Sequence, residues 1–405
     1  MGAPDPDLST PQAQAWNTRL VGHSDLGGWT SASQVVVDGR YAYVAAVGED
    51  DDHVEGVTIL DVSDPRKPEV LSQIRTPPNT HSHKVQIVGD LLFVNSQRVE
   101  GYRGSDFTPG LRIYDVKDRR NPKYLTMLVT GGIGVHRFRI EPDTMLGLLP
   151  TGDEEYHGRP MWLVDFRDPL RPQIISKWGI PGSHKAAGEV STEKPGEVFI
   201  AHGPPIRINN RIYLGYWDAG MIILDATDLR RLKMISRLDW SPPYFGHTHT
   251  VVPVPRHGIA VVTDEGYFEG HEGARLDGVR NSERSQFVWV VDIRQETNPI
   301  PIATYIPQPA AMFAKQPAVF GAHNMNEVIE DDDLAFVVWF CAGLQVVSLR
   351  DPHHPRQVGY YIPARTFGRP AVMSNDIFVD RRTGLVYFTD RWGGGLDIVE
   401  FAGER

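Results

Sequence analysis

The sequence predicts an all-β fold made of seven repeats closed into a ring, and three observations carry that prediction. First, one phrase recurs along the chain. It reads Gly56-Val-Thr-Ile-Leu-Asp-Val-Ser-Asp-Pro-Arg-Lys-Pro68, an alternating apolar run that ends in Asp61 and a tight Asp-Pro turn. Alternation bounded by Asp and Pro is the pattern of strand, turn and strand. The phrase returns at Gly110-Leu-Arg-Ile-Tyr-Asp115, Met161-Trp-Leu-Val-Asp165, Gly220-Met-Ile-Ile-Leu-Asp225, Val288-Trp-Val-Val-Asp292, Gly343-Leu-Gln-Val-Val-Ser348 and Gly395-Leu-Asp-Ile-Val-Glu400. Second, the copies lie roughly 40–60 residues apart, the period of propellers and other repeat folds. Third, the last copy ends one strand short, while Thr18-Arg-Leu-Val-Gly-His23 ahead of the first copy reads as a spare outer strand. A ring of four-stranded blades closed by that strand leaves only short, protected edges. The expectation is a seven-bladed β-propeller whose last blade is completed from the N-terminus.

Each repeat supplies four strand-like segments. In the first, residues 34–37 and 41–46 flank an Asp38-Gly39-Arg40 turn, and residues 57–62 and 69–74 flank the Asp-Pro turn, which is hairpin chemistry. The second supplies 83–88, 91–95, 111–116 and 124–129. The third runs from His136 to about Ile180, the fourth from about His202 to Leu238, and the fifth from about His249 to Ile306. The sixth runs from about His323 to Ile362, and the last supplies 377–379, 386–389 and 396–401. Residues 1–15 form an N-terminal arm, and 16–405 a single propeller.

Composition narrows the class. The 405 residues are 41% hydrophobic and 23% charged, with 39 Gly and 31 Pro for many tight turns. A formal net charge of −10, with no Lys/Arg stripe, excludes a nucleic-acid surface. One cysteine, Cys341, excludes a disulfide framework and thiolate metal clusters, and its apolar surroundings mark it as a buried thiol. No apolar run is long enough to span a membrane. The N-terminal Met1-Gly-Ala-Pro-Asp-Pro-Asp7 has neither a basic nor an apolar leader segment. The expectation is a cytoplasmic protein acting on a small molecule, with no nucleic-acid or membrane partner and an oligomeric state that the sequence leaves open.

The fold sorts the loops. The Asp-Pro turns and the short Asp38-Gly39, Val88-Gly89 and Asn209-Asn210 turns fall on one face. The long insertions at 97–110, 152–160, 182–201, 263–286, 307–321 and 364–373 all fall on the other. Long loops on one rigid face mark that face as functional. Five of the 15 histidines, His83, His136, His202, His249 and His323, stand at or just before the innermost strand of successive blades, at the mouth of the central channel. Several neutral imidazoles around one axis suit one divalent transition metal: Fe, Zn, Cu or Mn. A water-filled polar channel and a metal-free catalytic histidine are the other two readings. His81, His184 and His247 stand close enough in sequence to join the set, whereas His53, His257, His353 and His354 fall in turns or outer loops.

Carboxylates gather on the same face: Asp153-Glu154-Glu155, Asp218, Asp264-Glu265, Glu189 and Asp390. Such a group can orient a ligand imidazole, complete a coordination sphere or act as general base. Asp264 and Glu265, opening the longest insertion, are the first choice for a base, and Arg391 is placed to neutralise an anionic substrate group. Trp29, Trp217, Tyr244, Phe245, Tyr267, Phe268, Met312, Phe313, Phe320, Trp339, Phe367 and Trp392 are expected to roof a pocket for a small apolar or aromatic substrate, or to pack the insertions together. No Gly-x-Ser-x-Gly elbow, phosphate-cradling loop, dinucleotide fingerprint or His-Glu-x-x-His motif competes.

The recurring Gly-x-x-Ile-x-Asp-Val-Ser-Asp-Pro-x-x-Pro, with Tyr216-Trp-Asp-Ala-Gly-Met-Ile-Ile-Leu-Asp225, Ala322-His-Asn324 and Thr389-Asp-Arg391 ahead of Gly393-Gly-Gly395, resembles the LVIVD-repeat propeller proteins. The resemblance runs from about residue 16 to the end. It implies the fold and is weak for function. The departures are Ser348 in the sixth copy and the Pro-less turn at Asp228-Leu-Arg230 in the fourth. More distantly, a histidine-rich channel is similar to the all-histidine iron site of carotenoid-cleaving propellers and to copper-dependent selenium-binding-protein propellers. That likeness implies oxidative chemistry, with a hydrolase or lyase as alternative. A propeller scaffold that binds partners without catalysis is the competing class.

Overall fold

The computed structural model describes residues 4–47, 55–99, 102, 104, 106–193, 197–241, 244, 246–266 and 286–403. The recurring phrase forms the third strand of each repeat and the turn after it. Its first Asp folds the chain back. Asp61 accepts the Ser63 N–H at 2.9 Å, Asp115 that of Lys117 at 2.8 Å, and Asp292 that of Arg294 at 2.9 Å. The second Asp repeats the device, as in Asp64 to the Arg66 N–H at 3.1 Å. The Pro-less turn keeps it, with Asp228 accepting the Arg230 N–H at 2.9 Å. A side-chain acceptor two residues back closes such a turn whether or not proline follows. The Pro-less turn therefore leaves the fold intact.

Among the described residues the strands pair antiparallel into four four-stranded sheets, one five-stranded sheet and one ten-stranded sheet that spans the second and third repeats. The first repeat joins Ala32–Asp38, Tyr41–Ala46, Gly56–Asp61 and Glu69–Arg75. The second and third are linked edgewise where Gly134 meets Gln97. The fifth joins Thr248–Val254, Ile259–Asp264, Val288–Asp292 and Ile300–Tyr305. The seventh has three strands of its own, Ser374–Asp380, Leu385–Asp390 and Gly395–Phe401, and takes Thr18–Ser24 as its outer strand. The N-terminal strand thus closes the ring, as the sequence predicts. Residues ahead of it also pair: Gln14–Trp16 adds a fifth strand to the sheet of the sixth repeat, Gln14 facing Ile362 and Trp16 facing Tyr360.

The core lies between blades. Tyr43, Val57 and Ile59 of the first pack on Val85, Leu92 and Val94 of the second, while Val44 and Leu60 turn the other way onto Tyr387, Leu396 and Ile398 of the seventh. Both faces of a central strand are buried, so these strands are apolar at almost every position. The sheets pack into a β-propeller.

Closure brings Gly22 of the N-terminal strand hard against the Asp-Pro turn of the first blade, where any Cβ would collide with the Pro65 carbonyl oxygen. Gly22→Val should therefore lower stability by about 1–3 kcal/mol, read as a drop in the urea midpoint. Unchanged stability would show that this junction is loose.

Candidate metal centre

Six of the repeats break register between their first and second strands at one place. The break falls at Ser33, between His81 and Val85, between Val135 and Arg139, and then at His249-Thr250, His323-Asn324 and Asn375-Asp376. A bulge re-aims side chains, and here it turns them toward the channel. The second strand caps it. Asn95 accepts the Lys84 N–H at 2.8 Å, Thr263 that of Thr250 at 3.1 Å, and Thr389 that of Asp376 at 3.0 Å.

Four of the five predicted histidines stand at this break and His202 stands just ahead of the first strand of the fourth repeat, with His81 joining them at one end. Their rings form an arc, with centroid separations of 5.4 Å from His81 to His83, 5.0 Å to His136, 4.4 Å to His202, 5.0 Å to His249 and 4.3 Å to His323. Asn375 and Ser33 hold the same position in the seventh and first blades, and Asn375 donates to the Ser33 carbonyl. Reading the copies in strand register rather than by residue type would have found these two. A second layer, one residue on, was missed altogether: Lys84, Arg137, Gly203, Thr250, Asn324 and Asp376. Within it Arg137 pairs with Asp376 at 3.3 Å and with Glu327 at 2.9 Å.

The five histidines are 0–7% exposed, and burial holds each well below its ordinary pKa, so all five are neutral imidazoles. Their partners fix their tautomers. His323 Nδ1 lies 2.7 Å from the Asn375 carbonyl and 2.9 Å from the Asn324 amide nitrogen, which itself donates to that carbonyl at 2.8 Å; the carbonyl can only accept, which assigns the proton to Nδ1 and the lone pair to Nε2. Thr250 donates to the His323 carbonyl and accepts from His249 Nδ1 at 2.7 Å. His249 Nε2 is left buried, with no hydrogen-bond partner among the described residues. His136 gives its Nδ1 proton to Gln97 at 2.6 Å. His202 is reversed: Arg159 donates to its Nδ1 at 3.2 Å, so its proton is on Nε2.

Glu265, 2% exposed, enters the arc from the fifth blade. Its Oε1 lies 3.0 Å from His202 Nε2, and its Oε2 lies 3.1 Å from His323 Nε2. Ligating atoms of His202, His249 and Glu265 all fall within 4.8 Å of one another, and His323 adjoins them. His83 and His136 stay on the arc outside this group. An Asn95 amide donates to His83 Nδ1 at 3.3 Å, which leaves the His83 proton on Nε2.

The structure divides the Asp264-Glu265 pair. Asp264 turns away from the channel and accepts the Trp240 and Trp289 indole N–H groups at 2.7 Å each and the Thr248 hydroxyl at 2.9 Å. Burial pushes its pKa up to about 7. Equivalent carboxylates also tie loops: Asp153 holds Trp162 at 2.8 Å, Asp218 the Val198 N–H at 2.8 Å, and Asp390 the Met373 N–H at 2.8 Å. Glu189 folds onto its own loop through the Gly182 and His184 N–H groups. Arg391 is half-buried on the seventh blade, close enough for its charge to depress His81, His83, His249 and His323. His247 pairs with Asp218 at 3.2 Å, and His184 stacks on Tyr156.

Only part of the expected aromatic roof stands at the centre. Trp217 lies between His202 and His247 at 4.1 and 4.2 Å, and Phe340 stacks on His323 at 4.5 Å. Phe313, Phe320 and Trp339 are packed into the core between the fifth and sixth blades, and Phe367 is fully exposed. Phe245, Tyr267 and Phe268, like His53, lie outside the described residues.

Residues 30–76 match the LVIVD repeat family model. No curated protein matches the chain by sequence. Solved structures do by fold. The periplasmic gluconolactonase PpgL of Pseudomonas aeruginosa aligns with TM-score 0.57 at 12% identity, over 90% of this chain and 97% of that one. A candidate 6-phosphogluconolactonase of Bacteroides fragilis NCTC 9343 aligns with TM-score 0.52 at 10% identity, over 82% and 85%. The computationally designed Ika8 protein aligns with TM-score 0.50 at 8% identity, over 94% and 97%. At such identities the likeness speaks for the fold alone.

The neutral arc sets an acid limit. An unfolded histidine takes up a proton below about pH 6.5 and a buried one does not, so its contribution to stability is complete above that pH and lost below it, by up to about 1.4 kcal/mol per unit. Asp218 and Asp264, raised to about 7, and Asp390, raised to about 6, act in the opposite sense. His136→Gln isolates one histidine. Its stability loss between pH 7.5 and 5.5, from urea titrations, should be about 1.4 kcal/mol smaller than the parent's; equal losses would mean that His136 is protonated in the fold. The chain is a β-propeller that carries the LVIVD repeat.

Proposed function

We propose that the protein is a metal-dependent enzyme holding one divalent transition ion at the channel mouth through His249 Nε2, His323 Nε2 and the Glu265 carboxylate. One observation carries this reading. The buried His249 Nε2 has no hydrogen-bond partner among the described residues, and it belongs with His202 and Glu265 to a group whose ligating atoms all lie within 4.8 Å of one another, with Glu265 Oε2 3.1 Å from His323 Nε2. A buried acceptor without a donor costs about 1–3 kcal/mol. A cation there would satisfy the bare His249 nitrogen, with the Glu265 carboxylate and His323 Nε2 close by. Two imidazoles and one carboxylate leave coordination positions open and suit Fe, Zn, Cu or Mn.

Such an ion would supply Lewis acidity and, if it were iron or copper, redox chemistry. The chain's own residues do the remaining work. The Asn375 carbonyl and the Thr250 hydroxyl hold two imidazoles with Nε2 bare. His202 orients Glu265 and keeps a proton on Nε2, poised to be lent to a bound molecule. Trp217 and Phe340 wall the centre. We read the reaction as oxidation of a small apolar or aromatic substrate. The second reading is hydrolysis, with lyase chemistry at the same centre as its variant, and it is favoured by the two lactonase names among the structural neighbours.

Protein purified without a histidine tag should carry about one equivalent of a transition metal. His249→Ala and Glu265→Gln should each weaken binding at least about ten-fold with the circular dichroism spectrum unchanged. Content below about a tenth of an equivalent under non-chelating conditions sinks the proposal and leaves a binding scaffold. Oxygen uptake by the iron-loaded protein against gluconolactone hydrolysis by the zinc-loaded protein separates the two chemistries.

Gly203 follows His202, and a Cβ there would collide with the His249 carbonyl oxygen. Gly203→Ala should displace His249 and cost about ten-fold or more in metal affinity, measured by equilibrium dialysis. An unchanged affinity would remove His249 from the ligand set.

A further inference from the structure

At the end of the channel away from the histidine arc the structure holds a cavity of about 270 Å³. Its lining residues come after the register break in five of the blades, as Gln34 follows Ser33 and Arg137 and Arg139 follow His136. Part of the wall is apolar, made by Val36, Phe378 and Val379. The rest is polar, and there the acceptors are spent while donors are left over. Glu327 gives one carboxylate oxygen to Arg137 Nη2 at 2.9 Å and the other to Arg139 Nη1. Gln34 is 1% exposed; its side-chain oxygen accepts the Val85 N–H at 2.8 Å, and its amide nitrogen bonds none of the described residues. Gln86 repeats the arrangement, its oxygen accepting the Ile140 N–H at 2.8 Å. Arg137 is 3% exposed, and its Nε is buried without a hydrogen-bond partner among the described residues. Arg381 is shared by Asp332 at 3.4 Å and Glu330 at 3.9 Å. Arg139 keeps Nε and Nη2 unbonded among the described residues. These two nitrogens form the guanidinium edge that takes a carboxylate through two parallel bonds.

We propose that this cavity is a second binding site, for a small monocarboxylate with a short apolar body. The carboxylate takes the Arg139 edge and the spare amides of Gln34 and Gln86, and the body lies against Val36, Phe378 and Val379. Buried donors without acceptors call for an acceptor, and an apolar wall beside them calls for a ligand that is apolar at its other end. Inorganic phosphate has no such end. The volume falls just under the range of drug-sized pockets, about 300–1,000 Å³, which holds the ligand to a small molecule. The site stands apart from the proposed ion and does not depend on it.

Calorimetric titration of the full chain with 4-bromobenzoate should show one saturable site. Arg139→Gln should weaken it at least about ten-fold, and inorganic phosphate at the same concentration should not displace the probe. No saturable binding, an affinity unchanged by Arg139→Gln, or full competition by phosphate overturns the proposal. The titration is repeated with 1,10-phenanthroline present to strip any metal. Unchanged affinity supports the cavity whether or not an ion is found at the other end, and lost affinity puts the probe on an ion and sinks the cavity site. Should Arg139→Gln fail to fold, the bromine anomalous signal in a soaked crystal decides. A peak beside Phe378 and Arg139 supports the site, and a peak elsewhere, or none, overturns it.

Discussion

The pairing of Thr18–Ser24 with Gly395–Phe401 is the constraint on which the rest of the structure depends. An open row of blades would leave two edges and no axis. Closed, the row must turn every first strand inward, and the register break in six of them delivers a side chain to one channel. Side chains there tie each blade to the next: Asn95 to the Val135 carbonyl, Thr250 to that of His323, Asn324 to that of Asn375, and Asn375 to that of Ser33. The residues that shape the candidate centre are therefore also the ones that hold the ring.

This double duty explains the electrostatics of the channel. Ions are costly to bury unless paired and hydrogen-bonded. The upper layer avoids the cost by using neutral imidazoles and amides whose backbone partners fix the tautomers. The lower layer uses Arg137, Asp376 and Glu327 as a paired set. Glu265 is the carboxylate set among the imidazoles, 3.0 Å from His202 Nε2 and 3.1 Å from His323 Nε2. The His249 Nε2 in the same group has no hydrogen-bond partner among the described residues, which is why the group reads as chemistry rather than as packing.

Particular residues show where sequence reasoning reached and where it stopped. The five histidines were found because a propeller repeats position, so one register of Asp-Pro turns located all of them. Asp264 and Glu265 could not be separated, since adjacent residues at a strand end point in opposite directions and only the partners tell which is inward. The two indoles that claim Asp264 come from residues more than twenty positions away on either side. Lys84 gave no signal of its own, because a lysine after a histidine is ordinary until the fold buries it. The aromatic roof was read too generously, because Phe313, Phe320 and Trp339 look alike in sequence whether they cap a pocket or fill a core.

By itself, then, the sequence determined the repeat, the strand pattern, the closing strand and the face on which the histidines gather. All of these follow from local alternation, turn chemistry and period. The tertiary structure alone decided which histidines converge with a carboxylate, which ring nitrogen of each is bare, and which charged neighbours share the axis. Those depend on contacts between blades, where a few ångströms and the direction of one hydrogen bond separate a ligand from a lining residue.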